Sequence, residues 1–182
     1  METLASSLLT NADLDALDVP FLRELHEGVL YVLPSPGYPH QRAVNKLAAL
    51  FEAVLPEGLV GLPAPFDYQP DESTTYDPDY SVWEETVVER RPLDVPPVLA
   101  IEVLSPSNPD HDLVRKFAGY ARFGVPHYWV LNPIGPTLVG YALRNGTYAE
   151  VGRAEGEALF EVEEPFPVRL RPAALLRRGP AH

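Results

Sequence analysis

The sequence predicts an α/β or α+β fold in which helices flank a central sheet of mixed strand direction. The run from Val98 to Val103 is almost continuously apolar and β-branched, as expected of a strand buried on both faces. An amphipathic helix follows it and ends near Phe123, before Gly124. Near the end of the chain, residues 137–143 and 148–151 flank Asn145-Gly146 and predict a C-terminal β-hairpin.

Before the central strand, the chain reads as short elements separated by stiff, proline-rich loops. Residues 13–28 predict a short helix or turn region that Gly28 ends. Residues 40–55 carry apolar side chains at helical spacing after Pro39, which suits the first turn of a helix. The other predicted elements of this half are strands at 29–33, 59–62, 66–69 and 80–83 and a turn at 70–77.

After the central strand, Asn108 is the expected cap of the amphipathic helix, with Pro109 at its first position. The remaining predicted elements are strands at 127–131 and 160–162 and a short closing helix at 172–178.

The composition is that of a single globular domain spanning residues 1–182, with 46% hydrophobic and 22% charged residues. No run approaches the roughly 20 apolar residues that a membrane span needs. The chain has no cysteine, which excludes disulfides and thiolate metal sites and suits a cytoplasmic protein. The net charge of −12 argues against a broad nucleic-acid-binding surface; residues 90–91 and 169–178 are the only basic clusters.

Glu102 is the carboxylate that most needs an explanation, because it lies in the middle of the apolar central strand. Burying an ionised carboxylate costs several kcal/mol unless it is compensated. Its partner is expected to be an arginine, a shared proton or a metal ion. Burial and a like-charged neighbour should also raise the pKa of its carboxyl group.

Further charges accompany Glu102 along the chain. Asp79 opens the preceding strand, whereas Asp112 and Lys116 fall four residues apart on one face of the following helix. Taken singly, each is most often a structural turn or surface residue. Together, an aspartate and a glutamate on neighbouring strands with a lysine nearby can hold Mg²⁺ against a scissile phosphate.

The chain contains the motifs Pro78-Asp79, Ala-Ile-Glu102-Val-Leu-Ser-Pro-Ser, Asp112-xxx-Lys116-xxx-Tyr120, Gly124-Val-Pro-His-Tyr-Trp-Val, Arg23-Glu24-Leu-His-Glu-Gly28-Val-Leu and Ser35-Pro-Gly-Tyr-Pro-His40-Gln. Together these motifs resemble the Uma2 family, which is grouped with the PD-(D/E)xK, restriction-endonuclease-like enzymes. The resemblance covers about residues 20–170, which are the expected core. It implies a restriction-endonuclease-like fold with the site at one edge of the sheet.

The resemblance also implies a set of site residues. Asp79 and Glu102 are the implied metal ligands for Mg²⁺ or Mn²⁺, and Val103 is counted with them. The superfamily motif has a lysine two residues after the glutamate, where this chain has Leu104, so the catalytic lysine is expected at Lys116. Two further candidates are Glu24, as a third carboxylate, and His40 or the adjacent Gln41, for binding phosphate or orienting water.

The leading functional hypothesis is therefore a Mg²⁺-dependent endonuclease acting on DNA. Two alternatives stay open: a catalytically inactive module of the same fold that binds or regulates, and a metal-dependent hydrolase of a smaller phosphoester. A homodimer is expected, because Tyr128, Trp129, Tyr141 and Tyr148 lie around the last strands and the hairpin at 137–151 leaves a sheet edge. The alternative is that these aromatic residues fill the core of the monomer.

Overall fold

The computed structural model describes residues 8–17, 22–105 and 109–177. Its helices are α1 (Asn11–Ala16), α2 (Tyr38–Val54), α3 (Pro109–Arg122) and a closing 3₁₀ helix (Pro172–Leu175). Its strands are β1 (Leu22–His26), β2 (Val29–Leu33), β3 (Leu59–Pro63), β4 (Tyr68–Asp71), β5 (Thr74–Tyr76), β6 (Tyr80–Glu84), β7 (Leu99–Val103), β8 (His127–Asn132), β9 (Thr137–Arg144), β10 (Thr147–Glu155), β11 (Phe160–Val162) and β12 (Val168–Leu170).

The centre of the molecule is a six-stranded sheet with the order β10-β9-β8-β7-β6-β3. Strands β7 and β8 pair in parallel and the other neighbours pair antiparallel, so the sheet is mixed, as predicted. A parallel pair needs a long crossover connection, and α3 supplies it. A second sheet, with the order β2-β1-β5-β4, and the small pair β11-β12 complete the fold.

Two apolar layers cover the six-stranded sheet. Helix α2 buries Ala43, Val44, Leu47 and Phe51, which its three- and four-residue spacing places on one side, against a cluster that includes Trp129. The other layer contains residues of α3, of β4 and β5, and of β6 to β8. Successive residues of β7 alternate between these layers, so the two faces of one strand have different surroundings.

The structure corrects the sequence prediction at three places. Residues 22–26, expected to be part of a helix or turn region, form β1; Glu27 and Gly28 both have positive φ and join it to β2 as a two-residue hairpin turn. Part of the expected turn at 70–77 is β5. Strand β12 was not predicted; it pairs with β11.

The C-terminal hairpin is confirmed and is longer than expected, because β9 and β10 run to Glu155 around Asn145 and Gly146, both with positive φ. The expected helix cap at Asn108 lies outside the described residues. None of the described helices is long and apolar enough to cross a lipid bilayer.

Candidate active site

Glu102 lies in the middle of β7 and is buried, with its side chain toward α3. Its Oε1 accepts two hydrogen bonds, from Lys116 Nζ at 2.9 Å and from the Tyr120 hydroxyl at 2.8 Å. Lys116 and Tyr120 are four residues apart and therefore lie on one face of α3. The charged partner of Glu102 is thus a lysine of the following helix, and not the arginine that was among the expected partners.

Lys116 bridges two carboxylates from different sheets. Its Nζ lies 2.7 Å from Glu24 Oε1, and Glu24 is fully buried on β1. The same oxygen accepts the backbone N–H of Asp77 at 3.1 Å, and Arg115 approaches the other oxygen at 3.4 Å. Glu24 is therefore a third carboxylate of this cluster.

Asp79 lies where β6 begins, beside the end of β7. It directly precedes Tyr80, which pairs with Ile101, the neighbour of Glu102 on β7. Asp79 is close enough to Glu102 for its charge to help raise the pKa of the Glu102 carboxyl group. One oxygen of Asp79 accepts the Val103 N–H at 2.7 Å, and the other lies 3.1 Å from His40 Nε2, in the first turn of α2.

The carbonyl oxygen of Val103 faces the same edge. In an extended residue the N–H and C=O groups point to the same side of the strand. Because the Val103 N–H points at the Asp79 carboxylate, its carbonyl opens toward the space next to that carboxylate. The edge of the sheet thus presents two carboxylates and one main-chain oxygen.

The charge balance of the cluster changes the pKa values of its members. Burial raises the pKa of Glu102 well above its usual range, and Asp79 and Glu24 reinforce this while Lys116 opposes it, so the predicted direction is confirmed. Burial acts to lower the pKa of Lys116, but Glu102, Glu24 and Asp79 outweigh it and raise that pKa. Lys116 is therefore charged at neutral pH, in a cluster with an excess of carboxylates.

Two neighbours of the cluster were not predicted. Asp77 is buried, accepts the Phe66 N–H at 2.7 Å and has a pKa raised by burial to about 7; the sequence placed it in a turn. Tyr120 belongs to one of the motifs that resemble the family, but the motif alone does not indicate that the Tyr120 hydroxyl donates to Glu102. Its spacing of four residues from Lys116 was the available signal.

The other candidates do not join the cluster. Gln41 is exposed, and its N–H donates to the Gly37 carbonyl within α2. Asp112 belongs to α3, and its side chain lies outside the described part of the chain.

The donor atoms fit a hard divalent cation. Asp79, Glu102 and the Val103 carbonyl offer oxygen only, and within the described residues no three His, Cys, Asp or Glu side chains form a ready-made metal cage. Mg²⁺ typically uses one or two protein carboxylates and completes its shell with water and substrate phosphate. The excess of carboxylates over nearby cations also favours a bound cation.

Comparisons with known proteins agree with this architecture. The model of the Uma2 family, described as "Putative restriction endonuclease", matches residues 21–175. A solved structure from Anabaena variabilis, described as a "putative nuclease", superposes with a TM-score of 0.73 at 18% identity, covering 92% of this chain and 97% of that one. This likeness confirms the predicted fold class. A comparison with curated proteins finds no match.

Proposed function

The chain belongs to the Uma2 family, and on that premise we propose that it is a metal-dependent endonuclease that hydrolyses phosphodiester bonds of DNA. The observation that carries the proposal is the position of Lys116. Its buried ammonium joins Glu24 of one sheet to Glu102 of the other, beside Asp79. A charged lysine next to carboxylates that can hold a metal ion is an arrangement that can support phosphodiester hydrolysis.

In this proposal Lys116 supplies fixed positive charge. Two carboxylates hold its ammonium in place, so little reorganisation is needed when negative charge develops on the phosphate oxygens. Burial strengthens that interaction, because charges interact more strongly away from bulk water. The ammonium also has a third N–H direction with which to orient a water molecule.

Asp79, Glu102 and the Val103 carbonyl are the proposed ligands of Mg²⁺ or Mn²⁺. When bound, such an ion supplies an activated water and neutralises charge on the phosphate. Neighbouring groups fix the orientation of both carboxylates. His40 and the Val103 N–H contact the two oxygens of Asp79. Lys116 and Tyr120 donate to Oε1 of Glu102. His40 also lies in the first turn of α2, where helix N–H groups favour an anionic phosphate.

The test is a cleavage assay on supercoiled and linear DNA in Mg²⁺, Mn²⁺ or EDTA. We expect metal-dependent cleavage, and a loss of at least about a hundredfold in rate for Asp79→Asn and for Lys116→Met. Glu84→Gln is the matched control, since Glu84 is an exposed acid at the far end of β6, the strand that Asp79 precedes. Its rate should equal that of the unsubstituted protein.

Other outcomes would identify the alternatives. Hydrolysis of a small phosphodiester such as bis(p-nitrophenyl) phosphate without cleavage of DNA would indicate a smaller substrate. Binding of DNA without cleavage in any metal would indicate a non-catalytic module.

We also propose that the protein acts as a homodimer, through a different surface from the one expected. Tyr128 and Trp129 are fully buried, and Tyr141 and Tyr148 pack against Phe117, so these aromatic residues fill the monomer.

The outer edge of β2 offers a more suitable contact. This five-residue apolar strand ends the four-stranded sheet, exposes Val29 and Val32, and has no described strand on its outer side. Such an edge favours pairing with another strand. Light scattering should give twice 20.1 kDa, and Val32→Lys should return the monomer mass; a monomer mass before substitution would contradict the dimer.

A further inference from the structure

A groove of about 510 Å³ lies between α2 and the C-terminal segment. One wall is formed by Lys46 and Leu50 of α2, and the other by Arg169, Arg171 and Leu159. The basic cluster that the sequence shows at 169–178 therefore meets one of the two lysines of the chain. Three cations come together here, on a protein whose net charge is −12.

Local structure turns these cations outward. Strand β12 buries Val168 and Leu170 and exposes Arg169 between them, and Arg171 follows as the strand ends. Lys46 is exposed on α2, next to Leu47 on the buried face. Since the apolar neighbours of each cation anchor its backbone in the core, the groove is a fixed feature of the surface.

Few carboxylates neutralise this groove. Among the described residues, no carboxylate forms an ion pair with Lys46 or with Arg171. Arg171 instead donates a hydrogen bond to the main-chain carbonyl of Glu157 at 3.3 Å. Arg169 pairs with Glu161, but both side chains are exposed. An exposed ion pair contributes little to stability, so a phosphate could displace the glutamate at little cost.

The groove is connected to the candidate active site through α2. This helix begins beside Asp79, with His40, and Lys46 follows six residues later, about 9 Å along the helix axis. Arg42 donates to the carbonyls of Leu176 and Arg177, which holds the C-terminal segment against the first half of α2.

We propose that this groove binds the phosphate backbone of the nucleic-acid substrate on one side of the scissile bond. The proposal rests on the proposed function and assigns to Lys46, Arg169 and Arg171 a binding role without a chemical one. Contacts of this type fix the position of the substrate and carry no sequence information. They also explain how a strongly acidic protein could hold a polyanion: its cations are concentrated in one place.

The experiment measures binding of the full chain to a fluorescein-labelled 30-base-pair duplex by anisotropy, in Ca²⁺, between 50 and 200 mM salt. The test variant carries Lys46→Glu, Arg169→Glu and Arg171→Glu. The control variant carries Arg90→Glu, Arg144→Glu and Arg153→Glu, which change the net charge equally at exposed cations elsewhere. Cleavage by both variants is measured in parallel, and circular dichroism verifies that both are folded.

We expect the test variant to bind at least about tenfold more weakly than the control at the lowest salt. The slope of log affinity against log salt should also fall by about one for each lost phosphate contact. Equal binding by the two variants, or no binding by the unsubstituted protein, would overturn the groove. If the protein cleaves DNA and the two variants bind equally, only the proposed role of the groove is wrong. If the protein binds DNA through the groove in a salt-dependent way but cleaves it in no metal, the groove is supported and the proposed endonuclease activity is wrong.

Discussion

The two faces of the central sheet are buried to the same degree but differ in chemistry. The face under α2 is almost entirely apolar and packs Phe51 between Tyr80, Trp129 and Phe166. The face under α3 encloses Glu102, Lys116 and Tyr120 among its tyrosines. The same strand, β7, contributes Ile101 to the first face and Glu102 to the second.

This difference indicates that the two faces have different roles, one in stability and the other in the chemistry of the candidate site. Apolar burial under α2 contributes stability in proportion to the area removed from water. The charges under α3 cost desolvation energy that their mutual attraction and hydrogen bonds only partly offset. We therefore expect substitutions under α2 to change stability, and substitutions under α3 to change activity, pH dependence or charge balance as well.

The largest expected effect is on the apolar face. Phe51→Ala should lower the free energy of unfolding by about 3–5 kcal/mol, because a fully buried ring leaves a cavity between three aromatic neighbours. Urea unfolding measures it, with Val54→Ala as the control, since Val54 lies on the same helix and is exposed. A loss of less than 1 kcal/mol would show that this face is not the main source of stability.

On the charged face, Lys116→Met should cost about 3–4 kcal/mol, because it leaves Glu24 and Glu102 buried without their common cation. Adding Glu24→Gln to this variant should recover part of the loss by removing one of the two charges. Lys46→Met, at an exposed position, should have almost no effect on the same unfolding curve. If Lys116→Met unfolds like the unsubstituted protein, the bridge contributes nothing to stability.

Asp77→Asn should change the pH dependence of stability. Burial raises the folded pKa to about 7, above the unfolded value of 3.8, so the unfolded chain loses this proton first. The contribution of Asp77 to stability is therefore lost as pH rises from about 4 to 7, and the variant lacks this change. The stability difference in favour of the variant should grow by about 2–3 kcal/mol between pH 5 and 8. An equal difference between the two proteins at both pH values would contradict this expectation.

The smallest effect concerns single hydroxyl groups. Tyr120→Phe should cost about 1 kcal/mol by removing one hydrogen bond to Glu102. Tyr128→Phe is its matched control, because the buried Tyr128 hydroxyl has no hydrogen-bond partner in the described part of the chain. The second substitution should be neutral or slightly stabilising, so equal losses would show that the hydrogen bond to Glu102 is not the cause.

Elements with a clear local pattern were predictable from the sequence. The apolar run of β7, the periodicity of α2 and the Asn145-Gly146 turn each identified an element within a few residues. Strands β1, β5 and β12 were not predictable, because each has only three to five residues and its formation depends on the strand with which it pairs. In β1 a charged pair, Arg23-Glu24, sits between apolar residues, which looks as much like a helix as a strand.

The candidate site was predictable to a similar extent. The apolar neighbours of Glu102 predicted that its carboxylate has a compensating partner. The family resemblance and the helical spacing predicted that Lys116 belongs to the site. No local pattern could show that Lys116 also meets Glu24, which is 92 residues away along the chain. That contact depends on two sheets packing together, and Asp77 enters the cluster for the same reason.

The origin of Glu24 in the smaller sheet has a consequence for how the protein can lose its site. Its hairpin is joined to the rest of that sheet through β5, whereas Glu102 and Asp79 belong to the six-stranded sheet. Regions with fewer long-range pairings open more readily, as hydrogen–deuterium exchange detects. Local opening of the β1–β2 hairpin would withdraw Glu24 from Lys116 while the larger sheet stays closed, so the protein could become inactive without unfolding.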